Sequence, residues 1–270
     1  MSDPKTGDPT DKLALARPDG RSRALTDSVD QIAQILLRKI DPALVGSSVD
    51  AISALVAHVG ATGESATLPD VPVARWQDAV IEREMKQGAS VLDLGCGGGE
   101  LLARLMDSKQ VRGQGVEIDP AAVMESVARG VPVFQTNLDE GLKGFPDHSF
   151  DYVVLEGTLQ TLHRPMEILS EMLRVGRRGI VSFPNFGFWR VRIDLALRGR
   201  MPVTESLPSR WHDSPNIHLF TIQDFLDWTK ESKVRVVSAF AHDRGAVRPL
   251  EPDDNLFAED ALMIVEKMSG

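Results

Sequence analysis

Apolar positions change their period along this chain, and the changes divide it. Residues 1–25 are polar and charged with no period, and they predict a disordered tail over 1–27. Val29, Ile32, Leu36 and Ile40 then step by three or four, as do Val45, Val49, Ile52, Val56 and Val59. That spacing predicts two helices over 28–59, with Asp41-Pro42 between them as a cap and a first-turn proline. A Gly/Pro/Thr linker at 60–72 completes a helical extension over 28–75. From 76 to 270 short apolar runs alternate with helical patterns. Strands are predicted at 91–94, 113–118, 131–135, 151–155 and 179–183, with helices at 100–107, 120–129 and 165–174. A helix at 222–231 and strands at 234–241 and 261–266 follow. Strands joined by helices imply parallel pairing and right-handed crossovers. The last two strands are joined by a turn-rich loop, 243–259, with no helical period, and this predicts antiparallel pairing at one edge. The predicted fold is α/β and Rossmann-like.

The first predicted strand runs into Asp93-Leu94-Gly95-Cys96-Gly97-Gly98-Gly99-Glu100. Glycines at such a turn adopt backbone angles that side chains forbid and let a ligand touch the main chain. Glu117 stands 22 positions after Gly95, at the end of the second strand, where an acid suits the hydroxyls of a ribose. A dinucleotide fingerprint asks for Gly or Ala where this chain has Glu100, and the turn lacks the Lys-Ser/Thr pair of a phosphate-cradling loop. Asp93 would repel a pyrophosphate but can hold an amine or its water. The stretch resembles motif I of class I S-adenosylmethionine (SAM) dependent methyltransferases. The resemblance implies that Asp93, Gly95 and Gly97 shape the amino-acid and ribose side of a SAM pocket. Glu117 then holds the ribose, Ile118 packs on adenine, and Asn137 and Leu138 meet the adenine edge.

Composition narrows the partners. Hydrophobic residues make up 42% of the 270 and charged residues 26%, ordinary for a globular protein. A formal charge of −9 disfavours nucleic acid. No apolar run reaches the ~18 residues of a membrane span, and the N-terminus lacks a signal-peptide core. Cys96 is the single cysteine, which fits a reducing cytoplasm and a turn-filling role.

Further tracts come in order: QVRGQGVEID at 110–119, NLDEG at 137–141, FPDHSFDY at 145–152 and TLQ at 158–160. MLRVGRRGIVSFPNFG at 172–187, WRVR at 189–192, RGRMPVT at 198–204 and SPNIH at 214–218 follow. Together they resemble the MetW family of methionine-biosynthesis proteins over about 84–243, most specifically at 172–204. The resemblance implies a SAM-type fold working with a homoserine O-acyltransferase partner, and leaves open whether the chain itself transfers a methyl group. Where the family and most SAM binders carry an acid for the adenine amino group, this chain has Asn137.

Other candidate chemistry is sparse. Glu156, at the end of the fourth predicted strand, is the candidate general base. Pro184-Asn185-Phe186 is similar to an amino-methyltransferase motif but follows the fifth strand rather than the fourth. His212, Asp213 and His218 match no metal-site spacing, so no metal is expected. His163 is expected at the surface, before a helix. Arg190, Arg192, Arg198 and Arg200 against Asp194 give 187–200 a charge of +3. With Phe188 and Trp189 this segment suits either a solvated helix or an acidic partner. Leu207-Pro208 and 210–212 are expected to form a lid over the pocket. Three function classes remain: a SAM-binding accessory protein, an active small-molecule methyltransferase, and a binding module without SAM.

Overall fold

The computed structural model describes residues 75–243 and 245–268. The expected tail and helical hairpin lie outside the described residues.

The chain enters on α1 (Trp76–Glu84) and then builds β1 (Ser90–Leu94), α2 (Glu100–Lys109), β2 (Arg112–Glu117), α3 (Pro120–Ala128) and β3 (Val133–Gln135). β4 (Phe150–Glu156), α4 (Pro165–Val175), β5 (Gly176–Pro184) and α5 (Trp189–Arg198) follow. The remainder is α6 (Ile222–Glu231), β6 (Val234–Asp243), β7 (Ala246–Pro249), α7 (Asp254–Phe257) and β8 (Asp260–Lys267). The eight strands lie in the order β3-β2-β1-β4-β5-β8-β6-β7. β3 through β5 are parallel, while β8, β6 and β7 join by antiparallel pairing.

The sheet is covered on both faces, and side-chain alternation along each strand shows how. Val91, Tyr152, Val154, Ile180, Leu262 and Ile264 face one way, against Val80 and Ile81 of α1 and Leu101, Leu102 and Leu105 of α2. Leu92, Val153, Leu155, Val181, Phe183 and Met263 face the other way, against Ile168, Leu169 and Met172 of α4 and Phe225 of α6. Burial on both faces is why these strands read as continuous apolar runs rather than as alternating ones. Strand order reverses direction between β1 and β4, so a crevice opens at the carboxyl ends of those two strands, the position where open α/β sheets bind ligands.

The expected antiparallel pairing of the strands at 234–241 and 261–266 is present, and one expectation needs correction. The stretch 243–259 is not a plain loop. Gly245 (φ +80°) turns the chain back into β7, which pairs with β6, and α7 follows. A four-residue edge strand ending in proline and a one-turn helix are too short to show a period. The antiparallel edge accordingly has three strands, with β8 inside it between β5 and β6. α1 shows no clear helical period in the sequence, because Asp78 faces inward and breaks its apolar stripe.

Candidate functional site

The glycine turn is held to β2. Backbone N–H groups of Gly95 and Cys96 both donate to the carbonyl of Val116, at 2.8 and 3.1 Å. Gly95, Gly97 and Gly99 take φ of +77°, +55° and +79°. A side chain at Gly95 would strike Thr158, whereas Gly97 faces open space. Cys96 is buried and its sulfur sits under Gly115, which has room for no Cβ. Burial pushes its thiol up to about 12, so it fills the turn as a small apolar group.

Glu117 closes the turn from the far side. Its Oε2 accepts from Gly97 N–H at 2.9 Å, and its Oε1 accepts from Ile118 and Asp119 N–H at 2.7 and 2.9 Å. Ile118 beside it is 60% exposed, an apolar surface facing solvent at the crevice end of β2. Asn137 follows β3. Its Oδ1 accepts from Asp139 N–H at 3.0 Å and caps a single 3-10 turn, Leu138–Glu140, in which Leu138 is buried. Asp139 is fully engaged: it accepts from the backbone N–H groups of His163 and Arg164 and pairs with the His163 ring at 2.9 Å. His163 lies exposed two residues before α4, as expected.

Asp93, Gly95, Gly97 and Glu156 line one cavity of about 460 Å3, together with Arg75, Asp78, Cys96 and Glu100. Four carboxylates therefore line it, and three of them, Asp78, Asp93 and Glu156, interact with the one guanidinium, Arg75. Arg75 lies 3.9 Å from Asp78 and 3.6 Å from Glu156, and Arg104 supports Asp78 at 2.9 Å. Burial raises Asp93 to about 7, Arg75 opposes the rise, and Asp78 and Glu117 add to it. Burial likewise raises Glu156 to about 8, again against Arg75 and with Asp78 and Asp93. Glu156 thus belongs to an acid cluster on the Asp93 side of the crevice. Arg75 and Asp78 do not stand out in the sequence. Their only signal was a charged pair opening a short helix beside apolar residues.

The cluster gives a stability prediction. A carboxylate whose folded pKa is raised favours its protonated form in the folded state. Its contribution is therefore greatest near pH 4 and declines as pH rises through about 7 for Asp93 and 8 for Glu156. The unliganded protein should melt several degrees lower at pH 8 than at pH 5.5, and Asp93→Asn should remove much of that decline. Parallel melting profiles for the two proteins would contradict this.

Other candidates have structural roles. Asn185 is 1% exposed, donates to the carbonyls of Asp254, Asn255 and Ala258, and accepts from Gly187 and Ile222 N–H, so it ties β5, α6 and α7 together. Arg192 donates to the carbonyls of Gly187 and Asn255. Arg190 lies over the ring of Trp189 at 5.3 Å, and both Arg190 and Arg200 are exposed. His212 pairs with Asp213 at 3.2 Å, whereas His218 lines a separate 140 Å3 cavity with Phe225 and Trp228.

Sheet order, glycine turn and strand-end acid define a class: the Rossmann-like fold of SAM-dependent methyltransferases. Solved structures agree. A SAM-dependent methyltransferase from Archaeoglobus fulgidus superposes with a TM-score of 0.51 at 18% identity, covering 70% of this chain and 92% of that one. A chain from a Haloferax volcanii complex of the Trm112 methyltransferase activator gives 0.52 at 17%, covering 72% and 90%. The [4+2]-cyclase SpnF gives 0.52 at 16%, covering 73% and 82%. At such identities the likeness concerns the fold alone. Residues 75–265 match the family described as methionine biosynthesis protein MetW, and the chain belongs to that family. The match reaches past 243, so β7, α7 and β8 are family structure rather than an unrelated tail. A relative from Rhodopirellula baltica, the bifunctional methionine biosynthesis protein MetXA/MetW, is 37% identical over 187 residues. That alignment covers 65% of this chain and 30% of the relative, so the chain spans under a third of the bifunctional protein's length.

Proposed function

We propose that the α/β domain, with Arg75 just before α1, binds SAM and that the chain supports homoserine O-acylation by a partner acyltransferase in the cytoplasm. The observation that carries the first half is the crevice at the β1–β4 switch point, with Glu117 on one side of an open Gly97 and the Arg75/Asp78/Asp93/Glu156 cluster on the other. SAM has a matching distribution of groups: a ribose diol, an ammonium, a carboxylate and a sulfonium cation. Glu117 can accept from the diol, since a carboxylate has about four acceptor positions and three N–H groups use it here. Asp93 suits the ammonium and Arg75 the carboxylate. Ile118 offers its exposed apolar surface to adenine, and Asn137 and Leu138 stand at the adenine edge.

Support for the acyltransferase partner comes from the Rhodopirellula baltica relative, whose name joins MetXA and MetW in one chain. The basic helix α5 is the proposed contact, because Trp and Arg are frequent interface anchors and exposed charge steers encounter. Arg192 is excluded from that role by its bonds to Gly187 and Asn255. Trp189→Ala with Arg190→Glu should therefore weaken the complex tenfold or more and leave SAM binding intact. Co-expression with the same organism's acyltransferase, size-exclusion chromatography in low salt and acylation rates check this. Separate elution at micromolar concentration with an unchanged acylation rate would remove the accessory role. An active methyltransferase would then lead, favoured by a second cavity that begins at Gly157, next to Glu156. Neither nucleic acid nor membrane enters this reading; among the described residues no helix is long and apolar enough to cross a bilayer.

A further inference from the structure

A second cavity, of about 490 Å3, opens where Gly157 follows β4 and Phe186 follows β5, beneath residues 201–219. Its size falls within the range of small-molecule sites. None of the sixteen residues that line it carries a charge. The contrast with the acid-rich crevice is sharp, and the two linings share no residue.

Two side-chain oxygens of the lining residues, Gln160 Oε1 and Ser206 Oγ, are buried without a hydrogen-bond partner, and only the amide oxygen is purely an acceptor. Gln160 is 6% exposed, and its Nε2 donates to the carbonyl of Gly157 at 2.7 Å. That bond fixes the orientation of the amide and leaves Oε1 as the remaining atom, buried and without a donor. A buried carbonyl without a donor is costly and rare in a folded protein. Gln160 cannot easily turn away to find one. Its backbone carbonyl already accepts from Ile217 and His218 N–H, at 2.9 and 3.0 Å, which pins the 3-10 turn Leu159–Thr161 against the segment above it. Around this acceptor the lining is largely apolar. Trp211 is 78% exposed, and Leu219, Ile217 and Met201 are also exposed beyond what isolated surface apolar residues require.

We propose that this cavity binds an uncharged small molecule with an apolar, ring-sized body and one N–H or O–H group, which donates to Oε1 of Gln160. Amino acids and phosphate esters are poor ligands for it, because the lining holds no counter-charge and an unpaired charge is expensive to bury. The inference does not depend on SAM occupying the first crevice.

Fluorescence titration of the full chain with three naphthalenes tests it. 2-Naphthol carries the donor, 2-methoxynaphthalene lacks it, and 2-naphthoate is charged. 2-Naphthol should bind about tenfold more tightly than 2-methoxynaphthalene, the scale of one neutral hydrogen bond, and 2-naphthoate should be weaker still. Gln160→Met should bring 2-naphthol and 2-methoxynaphthalene to equal affinity. Ser209→Trp, which fills the cavity from a half-buried lining position, should abolish binding of both. If Gln160→Met does not fold, the ligand series and Ser209→Trp still decide. No binding of 2-naphthol, equal binding of all three probes, or undiminished binding to Ser209→Trp would overturn the proposal.

Discussion

Gly97→Arg is expected to abolish SAM binding while leaving the protein folded. Gly97 has φ +55°, and nothing lies within 4 Å of the position its Cβ would take. An arginine there incurs about 1–2 kcal/mol of left-handed strain and extends into the crevice that the ligand needs. SAM at a hundredfold excess over its Kd stabilises the native state by ~2.7 kcal/mol, which raises the melting temperature of a domain of this size by several degrees. The natural chain should show that shift and the variant should not. Gly97 is the better position to test because Gly95 confuses ligand and fold: a Cβ there would meet Thr158 Oγ1 at 2.7 Å. An equal shift in Gly97→Arg would place the ligand elsewhere.

Arg248→Met is the expected large stability loss, and it lies away from the crevice. Asp254, at the start of α7, is 1% exposed. Its carboxylate takes both terminal nitrogens of Arg248 and the backbone N–H of Glu251 at 2.6 Å. Removing the guanidinium leaves a buried carboxylate without its cation. Such losses run to 3–5 kcal/mol, and the low end applies because the Arg248 side chain is about a third exposed. Urea unfolding should show a loss of about 3 kcal/mol. A change below about 1 kcal/mol would mean that water or a neighbouring group replaces the pair.

The sequence made the frame of the fold legible because the chemistry there is local. Burial on both faces shows as apolar runs, and the glycine turn with its acid shows as a motif; both lie where the pattern placed them. Less visible was what depends on distant partners. Asp78 looks like a surface acid on a short helix, and only the fold brings it to Arg104 and to Glu156. Arg192 and Asn185 resemble site residues by composition, yet both hold backbone carbonyls of α7 or its flanks, more than sixty positions away in the chain. Gln160 showed the same limit. Nothing in a TLQ tripeptide reveals a buried amide oxygen without a donor.

Calorimetric titration of the full chain with SAM, after exhaustive dialysis, tests the central claim most directly. One site is predicted, and Glu117→Ala should weaken it by ~1.5–3 kcal/mol, the value of a hydrogen bond to a charged acceptor, or roughly ten- to a hundredfold in affinity. The absence of binding heat with millimolar SAM and with millimolar S-adenosylhomocysteine, together with unchanged melting temperatures, would contradict it.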